Sequence, residues 1–172
     1  MARMRADDFP PEVLKLFDGY IHGLVSRRDF LERATRYATV GFGATAMLEA
    51  LTPNYALAAE VAKDDPRIVS AYVTYDVPEG SGTMRGYLVH PAQGKGPWPG
   101  VVVVHENRGL NPYIEDVARR LGTENFMAFA PDSLTSVGGY PGDEEKGVAL
   151  FAKLDRDKMT EDFVAAANWL RT

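Results

Sequence analysis

At 172 residues and 45% apolar content, the chain is long enough for one domain with a core of its own. A net charge of −5 argues against a polybasic nucleic-acid or membrane-surface role, and the absence of cysteine excludes disulfides, thiolate metal sites and a cysteine nucleophile within these residues. No apolar run of roughly eighteen residues occurs, so no stable membrane span is expected. Residues 1–58 hold equal numbers of basic and acidic side chains, and residues 59–172 carry the whole negative balance.

The first 58 residues read as a leader. Ser26-Arg27-Arg28-Asp29-Phe30-Leu31 resembles the twin-arginine export motif, with Glu32 where a Lys is usual. A mildly apolar stretch follows over residues 38–48, and Pro53 precedes the small-x-small pattern Ala56-Leu57-Ala58. Positive charge, apolar segment and small-residue site stand in the order a cleaved signal needs. The resemblance implies export to the periplasm of an already folded chain. The alternative is a cytoplasmic chain whose first residues form a helical arm packed on the domain. Val13, Leu16, Phe17, Tyr20, Ile21 and Leu24 make a helical stripe that a leader does not need.

From residue 59 the pattern changes to strands and then βα units. Residues 68–76 and 83–90 read as strands, and Pro78-Glu79-Gly80-Ser81-Gly82 between them reads as the turn of an antiparallel hairpin. Residues 100–105 form a short β-branched run, as in a strand buried on both faces of a mainly parallel sheet. Asn111 then caps a helix with Pro112 at its first position and Gly122 just past its end. Ile114, Val117, Ala118 and Leu121 are its expected apolar face. Residues 125–130 are the next strand, ending at Pro131-Asp132, and residues 143–154 and 158–170 read as helices. Met159, Phe163, Ala166 and Leu170 are the buried face expected of the last one. A hairpin followed by βα units is an α/β fold.

The hairpin, the strand running into His105-Glu106-Asn107-Arg108-Gly109, the strand ending in Pro131-Asp132 and the two later helices resemble the N-terminal half of the dienelactone hydrolase family. That resemblance covers roughly residues 65–172. It implies an N-terminal part of an α/β-hydrolase fold, incomplete at the C-terminus, acting on a carboxylic ester or lactone. By resemblance, Glu106 is the carboxylate beside the nucleophile, and the Asn107 N–H is an oxyanion-hole donor. The family places an Arg after its Pro-Asp dipeptide to hold the substrate carboxylate. Residues 133–142 contain no Arg or Lys, so a neutral or differently anchored ester or lactone is as good a substrate.

The fold's nucleophile elbow, Gly-x-Ser-x-Gly or its Cys variant, is absent from these residues, and the last histidine is His105. His must follow the nucleophile in this fold, so no triad of the family type can form here and the chain alone is expected to be inactive. A second polypeptide completing the sheet and supplying nucleophile, acid and His is one expectation. A non-catalytic remnant or binding module is the other. His105 is expected to be structural, bonding a neighbouring loop, and Asp132 to cap one. No cofactor is expected, and no metal either, because His105 and Glu106 are adjacent on one strand and point to opposite sides.

Overall fold

A computed structural model describes residues 4, 6–52 and 59–171, which fall into two units, Met1–Asn54 and Tyr55–Thr172. In the first unit, α1 (Pro11–Ile21) buries Val13 completely, with Leu16, Phe17 and Tyr20 packed around the same core. Gly23, at a φ of 74°, turns the chain out of the helix. Leu24, expected to continue the stripe, is therefore 84% exposed. Ser26 caps α2 (Arg27–Ala34): its Oγ accepts the Asp29 N–H at 3.1 Å and donates to the Asp29 carboxylate at 2.8 Å. Within the twin-arginine-like hexapeptide, Arg27 and Arg28 face solvent and Phe30 is fully buried. Met47 and Leu48 of α3 (Ala44–Leu51) close the core over Phe30 and Ala34. Pro53 and the Ala56-Leu57-Ala58 pattern lie outside the described residues.

The second unit is an α/β sandwich around a mixed sheet. The hairpin pairs β1 (Ile68–Val77) with β2 (Gly82–Pro91) antiparallel, in a register that sets Ile68 against Pro91 and Val77 against Gly82. β4 (Met127–Pro131) runs antiparallel to β2, and β3 (Gly100–Val102) lies parallel to β4 on its far side. The strand order is β1-β2-β4-β3, so β3 is an edge among the described strands. Ala128 and Ala130 of β4 join one core cluster and Phe129 joins another, the period of two that a strand covered on both faces requires. The first cluster is closed by α4 (Pro112–Thr123), through Ala118. The second is closed by α6 (Arg156–Trp169), where Ala166 is buried and Phe129 meets Trp169 at 4.9 Å. Between these helices lie a 3-10 turn (Ser133–Val137) and α5 (Glu144–Phe151).

The expected elements are all found, with three informative shifts. The strand expected to reach residue 105 stops at Val102. Val103 N–H still donates to Phe129 O at 2.8 Å, but the next rung needs an N–H from residue 131, and Pro131 has none. Gly122 lies inside α4 rather than past its end. A Cβ there would sit 2.6 Å from Val89 Cγ1 and 3.0 Å from Ile68 Cγ2, so the glycine sets how closely helix and sheet approach. Finally, α4 buries Glu115, Asp116 and Arg119 as well as Ala118. Asp116 Oδ1 accepts the N–H groups of Glu60 (3.2 Å) and Val61 (3.0 Å), and Arg119 Nε donates to Val61 O at 2.7 Å. Lys63 pairs with Glu115 at 3.0 Å, and Tyr72 donates its hydroxyl to the same carboxylate. The polar side of this helix is a clasp for the chain that enters the unit. No helix among the described residues is long and apolar enough to cross a membrane.

Gly122→Ala gains about 1 kcal/mol of helix propensity and meets an overpacking cost of about 1–3 kcal/mol. The expected outcome is a net loss of about 1 kcal/mol in urea unfolding. Unchanged or raised stability would show that the contact with Val89 relaxes freely.

Candidate functional site

Beyond Val103 the chain leaves the sheet and turns sharply. Gly109 N–H returns to Glu106 O at 3.5 Å, and Asn111 N–H reaches Gly109 O at 2.8 Å. Gly109 has a φ of 82°, and a Cβ on it would lie 2.4 Å from Leu134 Cδ1, so glycine is required on both counts. Asn111 then caps α4, its Oδ1 accepting the Ile114 N–H at 3.0 Å. Glu106 is exposed, and its neighbour Asn107 is half-buried with a backbone N–H that donates to no group among the described residues. Glu106 lines a cleft of about 300 Å³ with Val104, Arg108, Asn111, Tyr113 and Ile114.

Three contacts hold this turn. His105 is buried between the rings of Phe151 and Phe163. Its Nε2 accepts the Ser133 N–H at 3.1 Å and lies 3.0 Å from Ser133 Oγ. Its proton therefore sits on Nδ1, which donates to Glu106 O at 2.6 Å. This is the structural role expected for it. Burial holds the His105 pKa below its ordinary value of 6.5, against the raising effects of the Glu106 carbonyl and the Asp132 charge. The second contact is Glu144 of α5, which takes Arg108 Nε at 3.1 Å and Asn111 Nδ2 at 3.2 Å. In the third, Gly147 lets the Arg108 carbonyl lie against α5, where a Cβ would come within 2.6 Å of that oxygen.

Asp132 is buried and acts as a cap, accepting the N–H groups of Leu134 (3.1 Å) and Tyr140 (3.0 Å). It does not face the cleft lining given by Glu106 and its neighbours. Asp162, which the sequence reading passed over, is 1% exposed on α6. It grips Ser81 through the backbone N–H (2.8 Å) and the hydroxyl (2.7 Å), fixing the hairpin turn to the helix. A buried aspartate among helical apolar residues is a signal in principle, but its partner lies 81 residues away. Among the described residues no group of three or more His, Asp or Glu is placed to hold a metal ion.

A hairpin followed by a parallel βα unit, with a backbone donor turned out past the end of β3, defines the N-terminal portion of an α/β-hydrolase-type sheet. The chain belongs to the dienelactone hydrolase family, whose model matches residues 84–172. A further model, described as YqhI-like, matches residues 1–39. A protein of Escherichia coli K12 named as a hydrolase fragment, YghX, is 58% identical over 112 residues, 65% of this chain and 96% of that protein. Another E. coli K12 protein, named as a carboxymethylenebutenolidase, is 32% identical over 109 residues, 61% of this chain and 39% of that one. The solved structure titled m3DLH aligns with a TM-score of 0.50 and 28% identity, covering 62% of this chain and 44% of that chain. The chain thus spans nearly all of the first relative and about two-fifths of the second.

Because the folded chain resists protonating His105 and the unfolded chain does not, its stability is fully present above about pH 6.5 and falls as the pH drops below that value. The slope from this one group is at most about 1.4 kcal/mol per pH unit. A protonated Nε2 would also point its hydrogen at the Ser133 N–H, donor against donor. Unfolding free energies between pH 7 and 5 should therefore decline for the natural chain and be flatter for His105→Gln. Parallel pH curves for the two would remove His105 from the account.

Proposed function

We propose that residues 59–172 provide the oxyanion-and-carboxylate wall of a site that hydrolyses a carboxylic ester or lactone. Asn107 would supply the oxyanion donor and Glu106 the carboxylate that governs the nucleophile. The observation that carries this reading is the Asn107 N–H, held in a clamped turn beside Glu106 at the end of β3 and spent on no group among the described residues. In such a site an activated nucleophile attacks the carbonyl carbon, and the negative charge that develops on the carbonyl oxygen is met by that N–H. The nucleophile, the acid and the His are not among these residues: no Gly-x-Ser-x-Gly or Gly-x-Cys-x-Gly occurs in them.

A strand from outside these residues, on a second chain in this proposal, would supply those groups. Pro99 O and Val103 N–H both bond β4, so by the two-residue period the backbone groups of Gly100 and Val102 point to the open edge of β3. Val104, just past the end of the strand, is 60% exposed. A strand carrying the elbow would pair along this edge, remove a surface prone to aggregation and bring its nucleophile to the cleft. The 172-residue protein alone should show no turnover of p-nitrophenyl acetate above background. Co-expression with a polypeptide encoded downstream that carries a Val-rich strand and a Gly-x-Cys/Ser-x-Gly turn should restore turnover, and Glu106→Gln should then cut it about a hundredfold. Turnover by the single chain, abolished by Glu106→Gln, would defeat the two-chain proposal. The missing elbow favours a second reading, a binding module that keeps the cleft without chemistry; a soluble complex with no restored turnover would select it.

For the first unit the proposal is export to the periplasm, supported by the order of arginine pair, apolar stretch and small-residue pattern. Against it stands the use of Ser26 as a helix cap and of Phe30 as core. Mass measurement of the chain from fractionated cells tests it. A periplasmic form beginning at residue 59 is expected, and an intact cytoplasmic form would overturn it.

A further inference from the structure

We infer that the cleft at the end of β3 takes uncharged esters or lactones and discriminates against ligands that carry a carboxylate of their own, a selectivity that rests on the cleft being the acyl-transfer site proposed above. Two charged side chains line it, Glu106 and Arg108. They are not equivalent. Arg108 is only 14% exposed, and its Nε lies 3.1 Å from the Glu144 carboxylate, which also accepts from Asn111 Nδ2 at 3.2 Å. Its charge is matched before any ligand arrives. Glu106 is exposed, and its carboxylate makes no ion pair among the described residues.

The rest of the lining is neutral: Val104, Gly109, Asn111, Tyr113 and Ile114. The Ser133–Val137 turn and the loop after it, through residue 142, hold no Lys or Arg. Lys153 and Lys158 line a separate cavity with Asp155 and Asp162. A ligand carboxylate in the cleft would therefore meet Glu106 with its charge unmatched, while the charge of Arg108 is already shared with Glu144. Discrimination of this kind comes from a repulsive element, not from an extra attractive one. Drawing Arg108 toward such a ligand would compete with its contact to Glu144, which also holds Asn111 at the cap of α4. The pair of contacts on Glu144 thus makes it a specificity residue that never touches the ligand.

The test uses the whole 172-residue chain and a matched pair of probes: methyl 5-oxotetrahydrofuran-2-carboxylate, an uncharged lactone, and its free carboxylate. Amide resonances of residues 104–114 are followed by NMR titration. The uncharged probe should bind at least about tenfold more tightly than the carboxylate at low salt, with the gap shrinking as salt is raised. Glu106→Gln should bring the two within about threefold. Glu144→Gln, which removes the charge that matches Arg108, should raise the affinity for the carboxylate relative to that for the uncharged probe. Retained dispersion of the remaining amide resonances shows that each variant is folded. Equal or tighter binding of the carboxylate to the natural chain would overturn the selectivity and leave the cleft assignment standing. Failure of both probes to move residues 104–114 would overturn the cleft assignment and the selectivity with it.

Discussion

Among the described residues β3 has a strand on one side only, and this constraint shapes everything at its end. A strand flanked on both sides has its direction fixed by two ladders, whereas β3 loses its single ladder at Pro131. The turn that carries Glu106 and Asn107 must therefore be held by side chains. His105 ties its start to Ser133, and Glu144 ties its middle and end to α5 through Arg108 and Asn111. Both ties reach residues that follow β4, so the loop is built against the chain segment that comes after the next strand. The bonds within the turn are therefore supplemented from a distant part of the sequence.

The same economy appears on α4. One side packs Ala118 and Gly122 against the sheet, and the other turns Glu115, Asp116 and Arg119 toward residues 60–63 and Tyr72. Buried charges of this kind are tolerated because each meets either an opposite charge or a backbone group. Arg119, 2% exposed, is placed between Val61 O, Asp116 and Glu115. The helix is thus a bridge between the sheet and the incoming chain.

Much of this was legible in the residues. The hairpin, the Asn111-Pro112 helix start and the apolar β4 follow from turn chemistry, capping and burial on both faces, which are local signals. The loop after β3 was legible as a family motif, and His105 as a structural histidine. What escaped were features that depend on partners far along the chain. Asp143-Glu144-Glu145 reads as one acidic cluster suited to a helix start, yet Asp143 caps α5 while Glu144 clamps a loop more than thirty residues earlier. Gly122 reads as a helix stop because its neighbours say so, and only the position of Val89 shows that it is a contact point. The length of β3 could not be read from its valines, since the residue that ends it belongs to β4. The stripe on α1 was sound as far as Ile21 and failed at Leu24, where Gly23 redirects the chain.

The clasp on α4 bears on how the chain could be processed. Among the described residues of the second unit, the first anchored backbone groups are the amides of Glu60 and Val61 on Asp116. A protease cutting after Ala58 would leave both amides in place and would free a new amino terminus at Ala59, one residue upstream of Glu60. Maturation at that bond would keep the fastening of Glu60 and Val61 to Asp116 on the domain's side of the cut.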